Sequence, residues 1–310
     1  MQKREEVSAD DANAPAARAG WHASLDLEFA ARADRTYLAR RAHVGPLVVQ
    51  RPFYPEGGVC HAYIVHPPGG IVGTDRLELT VHAGPGSHAL LTTPAATKFY
   101  RSSDRGAVQS QALDLHRANF EWLPQETILY PHASARVSTQ VRLCKQSRFI
   151  GWEIVCFGRP ASGLDYGRGR VAQDFELWLE GAPLLIDRLR IEGTADPMRA
   201  AYGLAGHPVM ATLLAYPADK SVLEFIRQPA DGSDAASASL GLDSHHSQTT
   251  STRDRTSAVH FACSAVDGAL VARAVGKHVD QVRAVMENVW RRLRPHVIGR
   301  DAVAPRIWST

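Results

Sequence analysis

The sequence predicts a mainly β protein whose few helices fall in the C-terminal third. Three observations carry this. Short apolar runs with a period of two succeed one another at hairpin spacing through the first two thirds. Turn clusters punctuate them, at Pro55-Glu56-Gly57-Gly58, Pro67-Pro68-Gly69-Gly70, Gly84-Pro85-Gly86 and Gly167-Arg168-Gly169; such residues supply the positive or fixed φ that tight turns need. A strong helical period occurs once, near the end of the chain.

Residues 1–19 mix charges with alanine and hold almost no large apolar side chains, so a disordered arm is expected there. From Trp21 the character changes. Leu25, Leu27 and Phe29 alternate with Asp26 and Glu28, the pattern of a half-buried strand. Strands follow at Thr36–Arg41, Pro46–Gln50, Val59–Val65 and Arg76–His82. Later ones are predicted at Ala107–His116, Thr127–Tyr130, Arg136–Cys144, Arg148–Phe157, Val171–Leu179 and Leu184–Ile191. Periodicity alone leaves a sandwich, a barrel and a β-solenoid open. The lack of a strict repeat argues against a regular repeat solenoid.

The last third differs. Ala218–Gln228 reads as a short helix with Val222, Phe225 and Ile226 on one face. Residues 230–257 are rich in Ser, Asp, Ala, Thr and Gly and are expected to form a long mobile loop. Val259–Ser264 and Ala269–Ala274 read as a hairpin around Asp267-Gly268, a preferred turn pair. Lys277–Arg294 is the strong helix, with Val279, Val282, Met286, Val289 and Leu293 on one face. Arg291, Arg292 and Arg294 crowd its end, where cations favour the helix dipole, and Pro295 is expected to stop it.

Composition narrows the function. The 35 basic and 32 acidic residues nearly cancel, giving +3, without the basic excess of a nucleic-acid binder. No stretch approaches the ~20 apolar residues of a membrane helix. Met1 to Arg18 lacks the apolar core of a secretory signal, so a cytoplasmic location is expected. Cys60, Cys144, Cys156 and Cys263 form no Cys-x-x-Cys pair and read as free thiols.

The usual catalytic signatures are missing from the sequence: no Gly-x-Ser-x-Gly, no His-Glu-x-x-His, no phosphate-binding or dinucleotide loop. Metal-capable side chains gather in two segments, Glu56/Cys60/His61/His66 and Asp75/Glu78/His82. Adjacent strand residues point to opposite faces, so Cys60 and His61 are poorly placed to share one ion. Glu121, Glu126 and Glu153 sit among apolar neighbours, where a carboxylate is costly unless paired or solvated. Either they alternate out to solvent or they line a wet internal channel. Weak oxygen ligands along a channel suit a passing divalent cation better than a trapped one.

A series of motifs then resembles one family, the urease accessory proteins of the D type, also called the H type. They are Arg51-Pro-Phe-Tyr-Pro-Glu-Gly-Gly58, His66-Pro-Pro-Gly-Gly-Ile-Val-Gly73, Leu90-Leu-Thr-Thr-Pro94, Ala96-Thr-Lys-Phe-Tyr-Arg101 and Glu121-Trp-Leu-Pro-Gln-Glu126. Phe149-Ile-Gly-Trp-Glu153, Gly158-Arg-Pro-Ala-Ser-Gly163 and Pro305-Arg-Ile-Trp308 complete the series. Each is weak alone; in this order they are specific, and they span Trp21 to Trp308. Leu164 departs from the family, which often has an acidic residue after Gly163, and the loop at 230–257 is longer than usual.

The resemblance implies an irregular β-helix-like core with a few helices beside it, in a single urease-accessory domain over residues 20–310. It implies a non-enzymatic chaperone that helps nickel enter apo-urease, in complex with the accessory F and G proteins, the latter a nickel-carrying GTPase. A dimer of such heteromers is one arrangement it allows. No tightly bound cofactor and no tight metal site are expected; nickel(II) is in transit. Glu56, His61, Asp75, Glu121, Glu126 and Glu153 are the transit candidates. Arg283, Trp290 and Arg291 on the C-terminal helix are candidates for partner contact, since Trp and Arg are enriched at interfaces. The alternative weighed beside this is a β-solenoid enzyme acting on a polymer, with Glu121 and Glu126 as paired carboxylates.

Overall fold

A computed structural model describes residues 20–102, 106–228 and 259–309. The expected arm at 1–19 and the expected loop at 230–257 lie outside them. The chain opens with an antiparallel hairpin, β1 (His22–Arg32) and β2 (Arg35–Val44), followed by the short β3 (Val48–Val49). Then come β4 (Cys60–Val65), β5 (Arg76–Ala83), β6 (His88–Thr92), β7 (Thr97–Phe99), β8 (Ala107–Leu115), β9 (Asn119–Trp122), β10 (Thr127–Leu129), β11 (Ser134–Leu143), β12 (Arg148–Phe157), β13 (Arg170–Leu179) and β14 (Ala182–Glu192). The last third holds β15 (Val209–Tyr216), α1 (Lys220–Arg227), β16 (His260–Val266), β17 (Ala269–Gly276) and α2 (Val279–Val297).

The fold is mainly β, as expected. Two sheets face each other. One has seven strands in the order β14-β13-β11-β8-β5-β1-β2; the other has ten, with β16-β17-β15-β12-β9-β6-β4-β3 as its main path. From β4 to β13 the chain passes back and forth between them. β5, β8, β11 and β13 pair in parallel in the first sheet, and β4, β6, β9 and β12 pair in parallel in the second. Antiparallel hairpins end the sheets at β1–β2, β13–β14 and β16–β17. The two sheets remain open and do not join into one closed wall.

Strand alternation decides what is buried. Leu25, Leu27 and Phe29 of β1, with Leu77, Leu79 and Val81 of β5, point between the sheets, where they meet Phe120, Phe149, Phe157 and Phe175. A second core lies between the ten-stranded sheet and the helices. Ile150, Trp152 and Ile154 face Val282, Met286, Val289, Trp290 and Leu293 of α2 there. Each such side chain contributes roughly 1.5–3 kcal/mol on burial. β12 is therefore covered on both faces.

Four strands were not foreseen: β6, β7, β9 and β15. β6 (His-Ala-Leu-Leu-Thr) is buried at every position, so its sequence carries no alternation. The prediction that Pro295 stops the helix is corrected. α2 runs through Pro295 to Val297. Pro295 is exposed and sits in the last turn, so it forfeits one hydrogen bond at the frayed end rather than breaking the interior. Gly299, at φ 79°, is the true terminator: its N–H and that of Ile298 both donate to the Arg294 carbonyl. The hairpin turn is as predicted, with Asp267 and Gly268 at φ 47° and 83°.

Candidate functional site

Residue parity splits the predicted carboxylates into two groups. β9 and β12 pair with Glu121 opposite Ile150. Glu121 therefore shares a face with Ile150 and Trp152, toward α2, whereas Glu153 points the other way, between the sheets.

The Glu153 side opens on a cavity of about 160 Å³ between the sheets. His66, Gly69, Gly70, Ala96 and Lys98 line its outer part; Leu77, Leu79, Gln109, Gln111 and Trp122 line the inner part. Among the described lining residues Glu153 is the single carboxylate and Lys98 the single fixed cation. Glu153 is 7% exposed and accepts from the Thr139 hydroxyl and the Gln173 amide. Burial pushes its pKa up to about 7, against the pull of these hydrogen bonds, and the nearby charges of Asp187 and Asp174 push the same way. Thr139 also lies 3.0 Å from the Gln111 side-chain oxygen. One hydroxyl proton cannot serve two acceptors; when Glu153 is protonated, its O–H donates to the Thr139 oxygen and the Thr139 hydroxyl donates to Gln111.

Glu153 also borders a smaller space with Gln173, Asp187, Met210 and Thr212. Asp187 accepts from Thr212 at 3.0 Å and pairs with Arg273 at 2.5 Å. The sequence reading missed Asp187, Thr139 and Gln173. In β11, β13 and β14 they look like ordinary alternating polar residues, and only the packing of the two sheets brings them to Glu153.

The other group is a buried ionic cluster under α2. Arg294 is 0% exposed. Its Nη1 and Nη2 lie 2.7 and 2.8 Å from the Glu56 oxygens, and its Nε and Nη2 lie 3.0–3.1 Å from those of Glu121. Trp290 Nε1 donates to Glu121 at 2.7 Å, His88 Nε2 lies 2.9 Å from Glu121, and His61 Nε2 lies 2.6 Å from Glu56. Burial alone would raise the pKa of both carboxyls. His88 and Arg294 overcome it at Glu121, holding it at about 2, and His61 and Arg294 hold Glu56 below its usual value. This arrangement is a closed structural tie.

The remaining candidates are dispersed. Both Asp75 oxygens accept main-chain N–H groups, from Trp21 at 2.8 Å and Val72 at 2.9 Å, so it closes a turn. It stands behind His66 of the cavity, whose pKa burial lowers, the charge of Asp75 offsetting this only in part. Glu126 is ion-paired with Arg283, which also reaches Gln125 at the cavity wall. Arg283 is thus tied down, while Arg291 is exposed and pairs with Glu287 at 3.1 Å. Trp290 is corrected as a partner contact: it is 0% exposed and packs edge-to-face against Trp152 and Trp308, with centroids 6.5 and 5.4 Å away. Glu121 and Glu126, the acid–base pair of the alternative enzyme reading, are each neutralised by a different arginine, Arg294 and Arg283. Among the described residues no three His, Cys, Asp or Glu side chains converge as a metal site, and no helix is long and apolar enough to cross a membrane.

Comparison with known proteins places this architecture. The family model described as UreD urease accessory protein matches residues 22–309. The chain belongs to the UreD urease accessory protein family. Relatives of the UreD family align over almost their whole length. The urease accessory protein UreD of Klebsiella aerogenes is 42% identical over 298 residues, covering 96% of this chain and 99% of the relative. That of Alkalilimnicola ehrlichii is 43% identical over 293 residues, covering 94% and 92%. That of Aliivibrio fischeri is 38% identical over 294 residues, covering 94% and 97%. The matched span takes in the inter-sheet cavity and the cluster under α2 described above.

Proposed function

We propose that this UreD-family chain is a non-enzymatic chaperone of urease maturation, acting in the cytoplasm with the accessory F and G proteins on apo-urease, and that it passes nickel(II) through the cavity between its sheets. The observation that carries this reading is Glu153, a lone carboxylate on a cavity whose mainly apolar wall is interrupted by a few polar groups. The cavity is far larger than the ~15 Å³ that one water needs, so a hydrated ion can be accommodated. An imidazole (His66), amides (Gln109, Gln111) and a carboxylate are ligands that nickel accepts without being trapped. The alternation of parallel strands between the sheets supports regarding the core as an irregular β-helix wound around that cavity. Asp187, ion-paired with Arg273, stands past Glu153 across a space of only about 10 Å³, and Asp75 adds negative charge behind His66 at the outer part.

The test is nickel content and urea hydrolysis of urease co-expressed with its accessory set, with wild-type chain, without it, and with Glu153→Ala. The expected result is nickel-poor, inactive urease without the chain, and reduced nickel with Glu153→Ala while the assembly still forms. Fully metallated urease in the absence of the chain would remove the chaperone reading altogether. Normal loading by Glu153→Ala would remove only the route.

A further inference from the structure

Both helices pack on the ten-stranded sheet. The outer face of the seven-stranded sheet is left bare of them, and its register aligns a row of side chains near the start of the parallel strands. Arg76 of β5 pairs with Val108 of β8, Val108 with Arg136 of β11, Arg136 with Ala172 of β13, and Ala172 with Arg190 of β14. Their strand neighbours Leu77, Ala107, Val137, Val171 and Ile191 are buried between the sheets, so this row points outward. Strands lie ~4.8 Å apart, which sets arginines on alternate strands about 10 Å apart. Arg170 stands two residues before Ala172 and faces the same way.

A groove of about 490 Å³ follows this row. Its cations are Arg136, Arg170 and Arg190, and its single carboxylate is Glu192, which pairs in register with Arg170. Small residues, Gly106, Ser134 and Ala172 among them, form the floor. Arg190 is occupied, donating to Asp174 at 2.6 Å and to the Gln173 and Leu189 carbonyls at 2.8 Å. Arg136 and Arg170 are exposed, and among the described residues neither has a carboxylate in salt-bridge range. Both project from strands paired on each side, so their main-chain positions are rigid before any partner arrives.

We propose that this groove is a docking surface for an acidic segment of a protein partner, with Asp or Glu side chains of that segment held by Arg136 and Arg170. Paired guanidinium groups over a shallow, small-residue floor suit planar carboxylates on a polypeptide. A nucleic acid is disfavoured, since the groove lining holds no aromatic side chain on which bases could stack. The inference rests on regarding the chain as a subunit of a protein assembly, but not on the nickel route.

The experiment uses the full chain co-expressed with the urease accessory set and urease, with a photo-crosslinking amino acid in place of Arg136 and mass spectrometry of the cross-linked peptides. The expected product joins this position to a segment rich in Asp and Glu. In parallel, Arg136→Glu with Arg170→Glu should weaken retention of the partner by about ten-fold or more, and Lys220→Glu, at an exposed position of α1 on the opposite sheet, should not. Thermal unfolding of the isolated double variant, unchanged from wild type, separates lost docking from lost folding. Cross-links to a neutral or basic segment, to nucleic acid or to nothing would overturn the proposal, as would full retention by the double variant. Nickel loading by Glu153 variants reports on the route separately.

Discussion

Arg294 of α2 and Glu121 of β9, 173 residues apart, form a salt bridge in which both side chains are 0% exposed. The pair fastens the C-terminal helix to the middle of the ten-stranded sheet. Taking away one partner strands the other charge in the core. Arg294→Met is therefore expected to cost about 3–5 kcal/mol, read as a lower midpoint in urea unfolding. Adding Glu121→Gln and Glu56→Gln to it should recover part of the loss, because the stranded carboxylates are then gone. An equal loss in the single and triple variants would assign the cost to packing instead.

The same pair sets an acid limit. The Glu121 pKa, ordinarily 4.5, is held at about 2 in the folded chain. A depressed carboxyl pKa stabilises above the unfolded value and ceases to do so as pH falls through the folded one. Stability should decline between pH 4.5 and about 2, by on the order of 3 kcal/mol for this group. Glu121→Gln should be less stable at neutral pH and should lack this component of the decline. Unfolding midpoints of the two proteins across that range give the comparison; parallel curves would discard the assignment.

Glu153 has the opposite sign. Its folded pKa, about 7, lies above the ordinary 4.5. The folded state then binds the proton more tightly than the unfolded chain, and stability falls as pH rises from 4.5 through about 7. Glu153→Gln, which mimics the neutral acid, should match wild type near pH 4.5 and exceed it above pH 7. Melting temperatures of both proteins on the two sides of neutrality test this. A wild type equal to Glu153→Gln above pH 7 would mean that the buried carboxyl titrates normally.

Trp290 shows what local sequence reveals and what it hides. Helical spacing located α2 and its apolar face, but an aromatic ring beside arginines reads alike whether it meets a partner or the core. Strands such as β1, β5, β11 and β13 were legible because one face of each leaves the core and the alternation survives. β6 and β15, buried at almost every position, have no alternation to read. Glu121 and Glu153 stood out as misplaced carboxylates. That they point to opposite sides depends on the register of β9 against β12, which no local pattern encodes. Their partners come from 173 residues away for Arg294 and 20 for Gln173, separations bridged only by the folded chain.

Because Trp290 is internal, its substitution should act on folding and not on partner affinity. Trp290→Phe keeps most of the ring contact with Trp152 and Trp308 but removes the donor to Glu121 at 2.7 Å. The expected cost is about 1–3 kcal/mol; Trp290→Ala should cost about 3–5 kcal/mol. Affinity of the folded Trp290→Phe protein for its partners, measured below its melting temperature, should equal that of wild type. Arg291→Ala, by contrast, loses only an exposed pair with Glu287 and should stay within about 0.5 kcal/mol.

Narrowing the cavity gives the most direct test of passage. Ala96 lines its outer part and is only half-buried, so a larger side chain there can extend along the cavity without displacing the core. Ala96→Trp should shift unfolding by less than about 1 kcal/mol, as partly exposed sites tolerate substitution. It should leave the accessory assembly intact and lower the nickel content of co-expressed urease. Ala96→Ser, similar in size to alanine, is the control and should load urease normally. If both variants load normally while purified Ala96→Trp is folded, nickel does not pass this point, and the role of Glu153 must be sought in the stability of the core.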